Sequence, residues 1–152
     1  MRYFVLLMSS ALIGCSSAPE KPDPTPLERI TEQVQLDEVD SKSLGGQDQT
    51  GLRPVSLEGL IAAASADGDV YLLDPTFDEI WNVDIDRTIV GGVGMNSSAV
   101  YLVTADATLV AIARDTGEVM YEITLPSSST VPPVATDAMV FVKTQIGQLL
   151  AL

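Results

Sequence analysis

Residues 99–121, AVYLVTADATLVAIARDTGEVMY, decide the fold. Ala99–Thr104 is an uninterrupted run of β-branched and apolar residues, the composition of a strand buried on both faces. Residues 105–107 break it, and Thr108–Ala113 starts a second apolar run. Asp115-Thr116-Gly117 then turns the chain, since Asp caps a turn through its side chain and Gly supplies a positive φ. Residues 118–125 resume with Val119, Ile123 and Leu125. Such strands cannot bury themselves alone, so their meaning depends on whether the pattern recurs.

It recurs on both sides. Residues 60–81 (LIAAASADGDVYLLDPTFDEIW) repeat the order of apolar run, small polar break, apolar run, turn and aromatic. Residues 139–152 (MVFVKTQIGQLLAL) begin it a third time. Ile61, Tyr101 and Phe141 align, as do Gly68, Ala107 and Gly147. A unit of four short strands recurring at roughly 40 residues is the mark of propeller blades. The fold class expected is therefore all-β, a partial β-propeller of about two and a half four-stranded antiparallel blades. The blades are placed at 52–84, 88–125 and 130–152, the last one incomplete, since 131–134 (VPPV) echo the opening 52–55 (LRPV) of the first. The first blade has Asp74-Pro75-Thr76-Phe77-Asp78 where the second has Thr-Gly, which calls for a different turn there. Trp81 is expected to pack between blades. Gly91-Gly92-Val93-Gly94 is glycine-rich, but no helix or Lys follows to complete a phosphate loop. It suits an innermost strand crowded near the axis.

The N-terminal third differs. Residues 1–14 read as a signal peptide: Arg2 gives the positive start, and the apolar run 3–13 is too short to span a bilayer as a stable helix. Leu12-Ile13-Gly14-Cys15 resembles the lipobox of bacterial lipoproteins. The small Gly14 admits the peptidase to the Gly14–Cys15 bond, and the Cys15 thiol takes the lipid. Several chains matter, because burial returns only about 0.8 kcal/mol per CH₂ and one chain anchors marginally. Cys15 is the only cysteine, so it has no disulfide partner within the chain. Ser16 stands where retention at the inner membrane usually calls for Asp, which favours the outer membrane. Residues 15–32 then form a lipidated Cys and a tether, Pro-rich over 16–26. Residues 27–49 fit helical spacing and strand alternation about equally. An extended outer strand over 33–42 is the expectation, because propellers commonly close the ring with an N-terminal strand. The propeller region as a whole is placed at 33–152.

Charge narrows the function classes. Eight basic residues stand against 21 acidic ones, and there is no His. That balance opposes binding nucleic acid through phosphate charge. Asp67, Asp106 and Asp137 fall in turns and are more simply turn formers than a catalytic or Ca²⁺-binding set.

The blade pattern in 67–74 (DGDVYLLD), 109–121 and 147–152 resembles the quinoprotein-type propeller repeat. With a lipobox in front, the chain from Cys15 onward resembles the family of propeller lipoproteins of the outer-membrane β-barrel assembly machinery, most closely at 52–54 and 147–152. It departs from that family at Asp40, usually apolar or Trp, and at Tyr121, usually Trp. The resemblance implies an eight-bladed propeller of which these residues are the N-terminal part; were the chain to end at Leu152, an open stack with an apolar face exposed on its third blade would be expected. It implies a non-catalytic scaffold with no cofactor and no metal, lipid-anchored through Cys15 at the periplasmic face of a Gram-negative outer membrane. Its partners would be the outer-membrane β-barrel assembly protein, the other assembly lipoproteins and nascent outer-membrane proteins. It identifies no partner-binding residues. Two other readings stay open: a fragment of a quinone (PQQ)-dependent dehydrogenase, and a periplasmic binding module of unknown partner.

Overall fold

The computed structural model describes residues 26, 34, 36–45 and 52–152. The expected signal peptide, Gly14 and Cys15, with nearly all of the tether, lie outside these. The chain divides into a unit of Met1–Leu36 and a unit of Asp37–Leu152. In the first, only residues 26, 34 and 36 are described, and all three are exposed.

The described residues of the second unit contain eleven strands. β1 (Val55–Leu57), β2 (Leu60–Ala64), β3 (Asp69–Leu73) and β4 (Glu79–Asp84) form one antiparallel meander in that order. β5 (Ile89–Met95), β6 (Ala99–Thr104), β7 (Thr108–Ala113) and β8 (Val119–Thr124) form a second. β9 (Val134–Ala135), β10 (Val140–Lys143) and β11 (Leu149–Ala151) form a third sheet of three strands. These are the blades expected at 52–84, 88–125 and 130–152, in meander order. The described strands lie within a few residues of the places read from the sequence.

The alternation of each strand divides two cores between the blades. Between the first and second blades lie Val70, Leu72, Trp81, Ile89, Val100, Leu102, Val110 and Ile112. Between the second and third lie Tyr101, Val103, Leu109, Ala111, Val140 and Val142. The middle strands β6 and β7 are covered on both faces, which is why they read as continuous apolar runs. The ladder refines one alignment. Ser65, Thr104 and Thr144 each bond across an equivalent hairpin, and the first interval is one residue shorter than the second. The residue equivalent to Tyr101 and Phe141 is therefore Ala62 rather than Ile61; Ala62 faces the second blade as Tyr101 faces the third.

Trp81 packs between blades as expected. It is 9% exposed, and its indole N–H donates to the Arg114 carbonyl at 2.9 Å. The indole rests on the next blade's turn, where a Cβ on Gly117 would lie 3.1 Å from it. Gly117 also has φ +75°, so this turn needs glycine twice over. The first blade's turn at 74–78 does differ. Asp74 N–H closes onto the Asp78 carbonyl at 2.9 Å, whereas Ala113 N–H reaches Glu118 at 2.8 Å, a loop one residue longer. The left-handed position survives in the shorter loop, filled by Phe77 at φ 65°. Both blades then carry a register shift, after which Trp81 pairs with Leu72 and Tyr121 with Ala111.

The outer strand expected over 33–42 is not formed in its described part. Residues 36–45 carry no strand, and Leu36 and Val39 are 91% and 98% exposed. A strand of this composition is held only by the ladder of a blade that it completes, and none of the three described blades takes it. Lys42 and Leu44 contact the first blade by side chain and carbonyl instead. Lys42 pairs with Glu79 at 2.9 Å, and the Tyr71 hydroxyl donates to the Leu44 carbonyl at 3.1 Å.

Candidate functional site

Turn chemistry builds both ends of the blade stack. At one end lie the hairpins between the second and third strands of each blade. Each begins with a buried hydroxyl: Ser65, Thr104 or Thr144. The hydroxyl oxygen accepts the backbone N–H four residues on, from Asp69, Thr108 and Gln148 at 3.2, 3.1 and 3.1 Å. In the second blade the Thr104 hydroxyl also donates to the Asp106 carboxylate. That bond holds the Asp106 carboxyl below its usual range, with the Thr108 hydroxyl a lesser contributor. In the sequence alone this stretch reads as a small polar break. The repeated Ser/Thr position was the available signal.

The same end anchors the segments that link successive blades. Ile85 and Leu125 N–H donate to the Gly68 and Ala107 carbonyls at 3.1 and 2.8 Å. Ala105 and Gln145 N–H donate to Thr88 and Ser128 at 2.8 Å each. At the other end, Asn96 joins the second blade to the third. Its amide donates to the Thr136 carbonyl at 2.9 Å and to the Tyr101 hydroxyl at 3.2 Å, while its oxygen accepts from Ser98 and Ala99. Beside it, Asp137 accepts from the Ser97 hydroxyl at 2.6 Å and from Ser97 N–H at 3.2 Å, which lowers its pKa. Arg114 spans the first and second blades by pairing with Glu58 at 3.0 Å. Such exposed pairs contribute little individually, about 0–1 kcal/mol.

The three acids singled out in the sequence are thus separated. Asp67 and Asp106 sit in hairpins at one end, and Asp137 sits at the opposite end engaged with Ser97. Among the described residues no three acids, Cys or His converge as metal ligands would. These acids therefore do not fit the oxygen cage a Ca²⁺ ion would need. Asp106 and Asp137 form turns.

The glycine-rich stretch behaves as an innermost strand. A Cβ on Gly94 would collide with the Pro133 carbonyl oxygen, and one on Gly91 would lie 3.1 Å from the carbonyl oxygens of Ser129 and Val131. Close backbone approach, rather than an anion, explains these glycines. Where the three innermost strands run side by side they leave an open groove of about 310 Å³, bordered by Arg53, Pro54, Val93, Gly94, Pro133 and Val134. Its walls are mostly proline rings, aliphatic carbons and backbone.

Comparison with known proteins gives one family. The family model described as outer membrane protein assembly factor BamB matches residues 66–152. The chain is 36% identical to outer membrane protein assembly factor BamB of Pseudomonas aeruginosa, over 66% of its own length and 28% of that protein's. It is 28% identical to the protein of the same name from Yersinia pestis, over 96% of its own length and 42% of the relative's. Among solved structures, the crystal structure of BamB from Moraxella catarrhalis matches with a TM-score of 0.60 at 27% identity, covering 66% of this chain and 30% of that one. A quinohemoprotein alcohol dehydrogenase from Pseudomonas putida HK5 matches with a TM-score of 0.51 at 21% identity, a likeness of fold alone. The chain spans between 24% and 42% of the length of the curated relatives it matches.

Proposed function

The chain belongs to the family of outer membrane protein assembly factor BamB, and from that membership we propose that it contributes blades to a non-catalytic scaffold for outer-membrane β-barrel assembly. The observation that carries this reading is the match over 66–152, which covers β3 and β4 of the first blade and all described strands of the other two. Scaffolding also agrees with the chemistry of the surface. The turns present hydroxyl-capped carboxylates and backbone, and the groove between the innermost strands is walled by proline and aliphatic carbon. A quinone-dependent dehydrogenase has only the fold likeness in its favour.

Within this reading, residues 1–14 are removed as a signal peptide and Cys15 carries the lipid. Residues 15–32 tether the blades at the periplasmic face of the outer membrane. Partners would be the membrane-embedded barrel-assembly protein, its companion lipoproteins and nascent barrel chains. Lipid anchoring raises the local concentration of the blades at the assembly site without any new contact.

Deletion and complementation test the role. Cells lacking the gene are expected to hold less folded barrel protein in the outer membrane, with restoration by the intact gene. Unchanged barrel levels across several barrel proteins would contradict it.

A further inference from the structure

In β10, Val140 and Val142 point into the core shared with the second blade, at 5% and 0% exposure. Alternation puts Phe141 and Lys143 on the opposite face, where Lys143 pairs with Leu149 and Phe141 with Val134 and Ala151. The equivalents of Lys143 in the first two blades are Ala64 and Val103, each one residue before the hairpin hydroxyl, at 8% and 0% exposure. The equivalents of Leu149 are Val70 and Leu109, both fully buried. In both earlier blades the element covering this face is the next blade. In the third, Leu149 and Val134 are 72% and 63% exposed, and no described residue covers them. The face thus continues an established interface in its apolar positions and breaks it at one point, where a cation replaces a small or β-branched residue.

A blade packed here as the second packs on the first would cover the ammonium. Removing a lysine charge from water without a partner is costly, so an anion on the covering element is what lets the interface close at this point. We propose that the blade expected next on this face presents a carboxylate to Lys143. The ion pair would then distinguish this junction from the two apolar ones and fix which blade packs next. The proposal rests on the propeller reading of the family and on relatives longer than this chain.

Zero-length amine–carboxyl cross-linking of the intact protein, purified from its own cells and followed by peptide mass spectrometry, tests it. Lys143 is expected to link to an Asp or Glu beyond residue 152, with the link lost in Lys143→Gln. Lys143→Glu is expected to lower the melting temperature more than Lys143→Gln does. A link to an acid within 1–152 would overturn the proposal, and so would a link to a second, isotope-labelled copy. Amine acylation of Lys143 at the rate of a fully exposed lysine would also overturn it. If the protein still co-purifies with the assembly machinery in any of those cases, only this inference fails and the family role stands.

Discussion

Ala107 shows how much one backbone angle matters. It has φ 62°, at the hairpin position where the first and third blades have Gly68 and Gly147, at φ 123° and 84°. A left-handed non-glycine residue costs about 1–2 kcal/mol, part of which glycine returns through the greater entropy of its unfolded chain. Ala107→Gly is therefore expected to stabilise the protein by roughly 0.5–1 kcal/mol, read as a higher urea midpoint at unchanged slope. One residue away, Asp106 gives a pH prediction. Its folded pKa lies below the ordinary 3.8 because Thr104 donates to the carboxylate. Its contribution to stability is thus complete above that ordinary value and is lost as pH falls through the lower folded one. Thr104→Val is expected to return the Asp106 carboxyl toward its ordinary pKa, followed by carboxyl NMR. An unmoved titration would show that the hydroxyl is not the cause.

At the scale of elements, blade-to-blade contact depends on glycine as much as on the apolar strands. Gly117 carries Trp81 of the preceding blade and holds φ +75°. Gly117→Ala is expected to cost about 1–3 kcal/mol by crowding and backbone strain together. Gly94→Val would drive a side chain into the Pro133 carbonyl. It is expected to release the third blade, visible as lost hydrogen-exchange protection in Val140–Lys143 while Ala99–Thr104 stays protected. The strands were legible in the sequence because buried blades leave unbroken apolar runs, and the turns because Asp-Gly and Thr-Gly carry their own geometry. The register of Ile61 was not. A one-residue difference in spacing is invisible in composition, yet it exchanges the two faces of a strand. The segment 33–42 turns on a related point. Its alternation suits a strand, but pairing is decided by the blade it joins, and residues 36–45 lie outside all three ladders. Of the site, the turn roles of Asp106 and Asp137 were legible, whereas the buried hydroxyls and Lys143 acquire meaning only when the blades are superposed by register.

For the whole molecule, the proposed role in barrel assembly and the proposed lipid anchor separate experimentally. Cys15→Ala is expected to move the protein from the membrane fraction to the soluble periplasm without changing its melting temperature. The strongly acidic composition should keep the released form soluble. The most direct measurement is affinity purification of the intact, tagged protein from detergent-solubilised outer membranes, with quantification of what accompanies it. The membrane-embedded barrel-assembly protein is expected in constant proportion, its recovery sharply reduced from Cys15→Ala cells. Absence of that protein from the wild-type preparation, together with quinone-dependent dehydrogenase activity in the same sample, would overturn the assembly role.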